Sequence, residues 1–261
     1  MKEFLPIRTI FSLLLTLILS QTAFAAHPLI TDDTGTQGKE NFQLELNGEF
    51  SWDKEHETGL TVKERVGEFA AALSYGISDS ADLVLGIPYQ WFETKENGVL
   101  TGDETGLSDL SLELKWRFLE QDGLSLALKP GLTIPTGDAD RGFGTGKATC
   151  SLFFIATKEA GPWAFHFNLG YGRNENKVGE KEDIWHASLA GEIEAAKDLK
   201  LVGNLGVETN PDEGSDSVPA FAIAGLIYSL SENLDLDLGL KCGITKPETD
   251  ITLLYGLARR F

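Results

Sequence analysis

Residues 110–118 read LSLELKWRF, and this stretch decides the fold. Leu110, Leu112, Leu114, Trp116 and Phe118 alternate with Ser111, Glu113, Lys115 and Arg117. A period of two sends the two sets to opposite faces of a β-strand. One face must therefore leave water while the other stays with it. The pattern recurs along the chain. FQLELNGEFSW (42–52), ADLVLGIPYQW (81–91), WAFHFNLGY (163–171) and LDLDLGLKC (234–242) all alternate in this way. So does ITLLYGLARRF (251–261), where Arg259 is the exception on the apolar face and Phe261 is the last residue.

Twelve such segments are expected, at about 41–52, 62–76, 81–93, 107–119, 123–135, 146–158, 161–173, 183–195, 199–209, 218–230, 233–243 and 250–261. Two read less cleanly. Both faces are apolar around Phe153, Phe154 and Ile155, and the faces of VPAFAIAGLIYSL are ambiguous. Short links (SDS, EQD, EA, AKD, SE) alternate with longer polar ones such as TKENGVLTGDET, TGDADRGFG and NENKVGEKE. Strand starts at Phe42, Leu83, Leu124, Trp163, Leu199 and Leu234 make the repeat a hairpin with a tight base and a long tip. A propeller blade of similar period needs four strands, and two long ones already fill this repeat.

A soluble sandwich and a membrane barrel both accommodate twelve antiparallel strands. Strands of about a dozen residues exceed the usual five or six and suit a tilted crossing of a bilayer. Twelve is even, and tight turns at one rim oppose longer loops at the other, as in bacterial outer-membrane barrels. All five tryptophans (Trp52, Trp91, Trp116, Trp163, Trp185) fall near strand ends, where interfacial belts form. The expected fold is all-β: a transmembrane, antiparallel, up-and-down barrel with short periplasmic turns and longer extracellular loops.

The polar faces support an inverted interior. Glu45, Glu49, Glu64, Glu68, Asp109, Glu113, Lys115, Arg117, Lys129, Lys200, Glu208, Asp235, Asp237 and Lys241 all fall on them, joined by His166 and His186. Unpaired charges in a dry core cost several kcal/mol each, whereas a solvated lumen lets them pair or meet water. These residues are the candidates for lining the lumen.

The rest of the chain fits export. Lys2 and Arg8, the apolar run IFSLLLTLILS and Ala23 and Ala25 form a signal peptide over 1–25. Residues 26–40, including HPLITDDTGTQGKEN, form an N-terminal segment that either hangs in the periplasm or folds back into the lumen; the apolar PLI favours ordering. Residues 41–261 form the barrel. No mature segment is apolar enough for a transmembrane helix. A net charge of -18 without a basic stripe argues against nucleic acid as a partner.

The segments HPLITDDTGTQGKENFQLELNGEFSWD, LSYGISDSADLVLGIPYQW, GLSDLSLELKWRF, LKPGLTIPTGD and GFGTGKATCSLFFIATKEAGPWAFHFNLGYGRNEN, with the closing strand, resemble the outer-membrane proteins grouped as meta-pathway phenol-degradation transporters. The resemblance covers essentially the whole mature chain. It implies a Gram-negative outer-membrane channel or uptake protein tied to aromatic hydrocarbons. Twelve strands fall between the filled eight-stranded and open sixteen-stranded barrels, so small solutes, including hydrophobic or aromatic ones, are expected to pass by passive diffusion. Outer-membrane lipid, the solute and the barrel assembly machinery are the implied partners, with Phe261 as the assembly signal. A structural or adhesive barrel is the alternative.

Enzymatic chemistry finds little support, and neither cofactor nor metal is expected. His166 and His186 stand on paired strands but are offset by about four residues, roughly 13 Å; His186 falls near Gly170. IWHASLAG places His186 and Ser188 on one face, a base beside a nucleophile. This resembles the His-x-Ser pair of the outer-membrane phospholipases, but the Asp, Asn and Gly that follow there are missing, and here the pair faces inward. Cys150 and Cys242 lie on non-adjacent strands, too far apart to bridge. TGDADRGFGTG could chelate calcium, but reads more simply as an acidic loop, and its GFGTG precedes no helix as a phosphate loop would.

Overall fold

The computed structural model describes residues 27–57 and 59–261; the expected signal peptide lies outside them. Thirteen strands follow in order: β1 (Phe42–Glu57), β2 (Leu60–Ser78), β3 (Ala81–Glu96), β4 (Val99–Leu107), β5 (Leu110–Gln121), β6 (Leu124–Ile134), β7 (Thr149–Ala160), β8 (Trp163–Arg173), β9 (Asp183–Ala196), β10 (Leu199–Glu208), β11 (Ala220–Ser231), β12 (Leu234–Gly243) and β13 (Ile251–Arg260). All but β4 form a closed antiparallel ring. The ring closes where β1 pairs with β13 from Gln43↔Arg260 to Trp52↔Ile251, so neither sheet edge stays open. Backbone bonds between Phe42 and Phe261 extend that seam to the last residue.

The alternation seen in the sequence is the wall itself. Leu112, Leu114, Trp116 and Phe118 point outward and are exposed, while Glu113 and Lys115 point inward and are buried. The less clean segments resolve as mixed inner faces: Phe153 and Ile155 on β7, and Phe221 and Ile223 on β11, turn into the lumen. Outward aromatics form two belts, with Trp52, Trp91 and Trp185 towards the loop rim and Trp116 and Trp163 towards the turn rim. Ten residues of β1 separate Phe42 from Trp52; at about 3.3 Å each and a tilt of 35–45°, the belts stand about 25 Å apart. That matches the apolar band of an outer-membrane barrel.

Tight turns need two residues with positive φ. Asp122 (φ 51°) and Gly123 (φ 72°) meet this need between β5 and β6. Asn97 (φ 48°) and Gly98 (φ 84°) do so at the opposite rim. There the structure departs from expectation. The expected links at 53–61 and 94–105 give way to continuations of β1 to Glu57, of β2 from Leu60 and of β3 to Glu96, with the extra strand β4. These four strands project beyond the outer belt, paired β1–β2, β2–β3 and β3–β4. The remaining outer loops interlock. Lys177 N–H donates to Thr145 O (2.9 Å), and Lys181 N–H donates to Pro211 O (2.8 Å).

Candidate functional site

The lumen is the site, and residues 27–41 run through it. The segment enters β1 beside Gly76, whose N–H donates to Asn41 O (3.0 Å) and whose carbonyl accepts from Glu40 N–H (2.7 Å). Gly76 allows this approach, because a Cβ there would overlap the Gly38 carbonyl. Further in, the segment replaces lost solvent with side chains of the wall. Asn204 Oδ1 accepts from Ile30 and Thr31 N–H (2.8 and 3.0 Å). Its Nδ2 donates to Thr31 Oγ1 (2.6 Å). Asn168 grips Asp32 from both sides, accepting from its N–H (2.7 Å) and donating to its carbonyl (2.8 Å). Thr34 N–H donates to Thr157 Oγ1 (3.1 Å), and Gln37 N–H donates to Asp82 Oδ2 (2.9 Å).

The centre of this lock is the carboxylate of Asp32, which is fully buried. Lys115 Nζ donates to its Oδ1 at 2.7 Å, and Lys129 Nζ stands 2.8 Å from its Oδ2. Lys115 also lies 3.9 Å from Asp33, and Lys129 3.4 Å from Glu113. His27 pairs with Asp237. Charges this deep are tolerated only when paired, so the segment and the wall each complete the other's electrostatics.

Two cavities flank the segment. The outer one, about 240 Å³, is lined by Ile30 and by loop-rim residues including Asp53, Glu64 and Thr249. The inner one, about 320 Å³, is lined by residues of 32–37 and turn-rim residues such as Asp82 and Arg260.

The candidates read from the sequence distribute along this axis. Glu45, Glu113, Lys115, Lys129, Asp235 and Asp237 line the inner cavity, and Glu49, His186 and Lys241 the outer one. Glu68 is buried and accepts from Gln90 Nε2 (2.6 Å). His166 is buried against Thr157 (3.0 Å), and Lys200 pairs with Glu192 (3.0 Å). Arg117 sits at the turn rim, donating to Asp79 O (3.1 Å). Asp109 departs from the set: its carboxylate accepts from Gly137 and Thr145 N–H, clamping the β6–β7 loop. Asn168, Asn204 and Asp32 were missed. Mid-strand asparagines on inward faces, Asn168 beside Gly170 and Asn204 between Val202 and Gly206, were the signal, since a mid-barrel amide needs a polar partner.

His186 and Ser188 do meet: imidazole Nε2 lies 2.9 Å from the hydroxyl, and Nδ1 lies 3.6 Å from Glu208. Ser188 is only 5% exposed, and the cross-strand amide of Asn168, the neighbour suited to hold an oxyanion, is committed to Asp32. His186 pairs with Gly170 across the sheet, and His166 with Ala190.

A closed barrel with an apolar exterior, two aromatic belts and a charged interior crossed by its own N-terminal segment defines a β-barrel membrane protein of the outer-membrane type. The chain belongs to the family described as "Putative MetA-pathway of phenol degradation", whose model matches residues 31–261. Among curated proteins nothing matches. Solved structures share the fold. The COG4313 outer membrane channel from Pseudomonas putida F1 is 16% identical with a TM-score of 0.67, over 88% of this chain and 98% of that one. The NanC porin is 7% identical with a TM-score of 0.54, over 83% and 98%. The translocator domain of the autotransporter NalP from Neisseria meningitidis is 12% identical with a TM-score of 0.54, over 86% and 89%.

Proposed function

We propose that this protein is an outer-membrane channel through which small solutes diffuse passively. The observation that carries the reading is the interior. Charged and amide side chains face a lumen that holds cavities on both sides of a chain segment, a filling that polar contacts hold in place. A polar interior belongs to transmembrane barrels in general; the cavities along the axis are what a barrel serving only as a wall or an anchor does not need. The fold shared with an outer membrane channel and a porin supports the reading. The shared fold of an autotransporter translocator domain keeps a non-channel barrel as the competing outcome.

Aromatic solutes are a second reading, in keeping with the family description. Phe153 and Phe221 turn ring faces into the lumen, with Lys129 and Lys241 ammonium groups 5.7 and 5.4 Å from the ring centroids. Such groups pair with a planar ring bearing a polar group, although with the segment docked the two rings are only 5% and 3% exposed. Planar-bilayer recording and liposome swelling with sugars and hydroxylated benzenes test both readings. Conductance and swelling are expected; their absence would leave a structural or adhesive barrel. Lysophospholipid release that Ser188→Ala abolishes would instead establish a hydrolase.

A further inference from the structure

The outer cavity carries a charge imbalance that the fold itself does not settle. Along β1 and β2 the register sets Glu49 opposite Glu68 and Asp53 opposite Glu64. Like charges directly opposite destabilise a sheet, and here two such pairs stack on the same inward face. Glu64 is the telling member. It is 6% exposed, it lines the cavity, and its carboxylate has neither a hydrogen bond nor an ion pair among the described residues. The charges acting on it, those of Asp53 and Glu55, are also negative.

The rest of the lining supplies only part of the missing charge: Lys246 acts on Asp53 and Lys241 on Glu49 as well as Glu248, while the charges acting on Glu64 are all negative. Leaving aside Glu55, which has an interaction of its own, six carboxylates face this cavity against two lysines, Lys241 and Lys246, and His186. Lys241 is already committed to Glu248 at 2.9 Å. Burying a carboxylate without a counter-charge is costly. Burial and its negative neighbours push Glu64 up to about 7, so this carboxylate at the mouth of a pore is neutralised from solution, by a proton below that pH and by a cation above it. Among the described residues no group has the geometry of a fixed metal centre, so that cation is a mobile, exchanging one.

We propose that the outer cavity is a cation filter: Asp53 and Glu64, backed by the Glu49–Glu68 pair, concentrate small cationic solutes at the mouth and repel anions. Carboxylate rings select cations in other pores, and clefts with low-dielectric walls focus such fields. The inference rests on the channel reading and narrows it to cationic and neutral solutes.

The test is the reversal potential of single channels in a potassium chloride gradient near 0.1 M, where charges act over about 10 Å. Wild-type protein should favour potassium over chloride by about 10-fold, the low end of field focusing in such clefts. The double variant Asp53→Asn/Glu64→Gln should lose most of that preference, and Glu194→Gln on an exposed strand end should keep it. A ratio at or below unity in wild type, or an unchanged ratio in the double variant, overturns the filter and leaves the channel standing. A protein that passes no ions removes the channel reading. The cavity is then probed with terbium(III), whose luminescence is sensitised by Trp52 and Trp91. Emission that the double variant abolishes sustains the cation site, and its absence in wild type overturns it.

Discussion

Asp32→Ala removes the carboxylate that joins the N-terminal segment to the barrel wall. Two lysine ammonium groups, on side chains 10% and 1% exposed, then lose their contacts at 2.7 and 2.8 Å. Each keeps only a longer one, to Asp33 at 3.9 Å or to Glu113 at 3.4 Å. Removing one member of a buried pair typically costs 3–5 kcal/mol, and the surviving partners place this case near the low end, about 3 kcal/mol. The cost falls on the docked state alone, because a displaced segment lets solvent reach both lysines. Release of the segment should therefore become about 100-fold more frequent, at 1.4 kcal/mol per factor of ten. Thr34→Cys provides the readout, since this position is 2% exposed when the segment is docked. Maleimide labelling of the cysteine should accelerate by about that factor on adding Asp32→Ala, with larger or more frequent single-channel openings. Retained heat-modifiable gel migration would establish that the barrel itself is intact. An unchanged labelling rate in an intact barrel would refute the idea that the Asp32 ion pairs hold the segment.

Other positions give further tests. Gly76→Ala forces a methyl group into the Gly38 carbonyl and should dislodge the start of the segment, read as increased protease cleavage between residues 27 and 41 with the barrel still folded. Deleting Phe261 removes the last backbone pair with Phe42 and an outward ring beneath the Arg259 guanidinium (5.3 Å); outer-membrane yield in cells should fall, and normal yield would count against Phe261 as an assembly signal. Glu180, in the β8–β9 loop, is pushed up to about 7 by burial, opposed by the hydrogen bond from Asn174 (2.9 Å). A folded-state value above the ordinary 4.5 means that the loop prefers the protonated acid. The stabilisation is thus present below about 4.5 and is lost as pH rises through about 7. At about 1.4 kcal/mol per tenfold change in proton affinity, it amounts to at most about 3 kcal/mol. Hydrogen exchange in 174–182, corrected for the intrinsic rate, should quicken from pH 5 to pH 8, and Glu180→Gln should flatten the dependence.

The sequence alone was enough for the wall. Period-two alternation at Leu110–Phe118 and its repeats determined which residues face lipid and which face the lumen, because a strand offers a side chain only two directions. Trp52, Trp91, Trp116, Trp163 and Trp185 marked the strand ends for the same local reason. Asn97–Gly98 is a local hairpin signal, and it sets the turn between β3 and β4 inside one expected loop. Other features depend on contacts between residues far apart in the chain. That Asp32 meets Lys115 and Lys129, that Asn168 and Asn204 hold backbone instead of solvent, and that Asp53 lies opposite Glu64 all follow from register and ring closure, which no local pattern encodes. Local sterics and hydrophobicity set each strand. Only the closed barrel, by bringing opposite walls and a folded-back segment within a few ångströms, decided which charges neutralise one another and which remain to meet a solute.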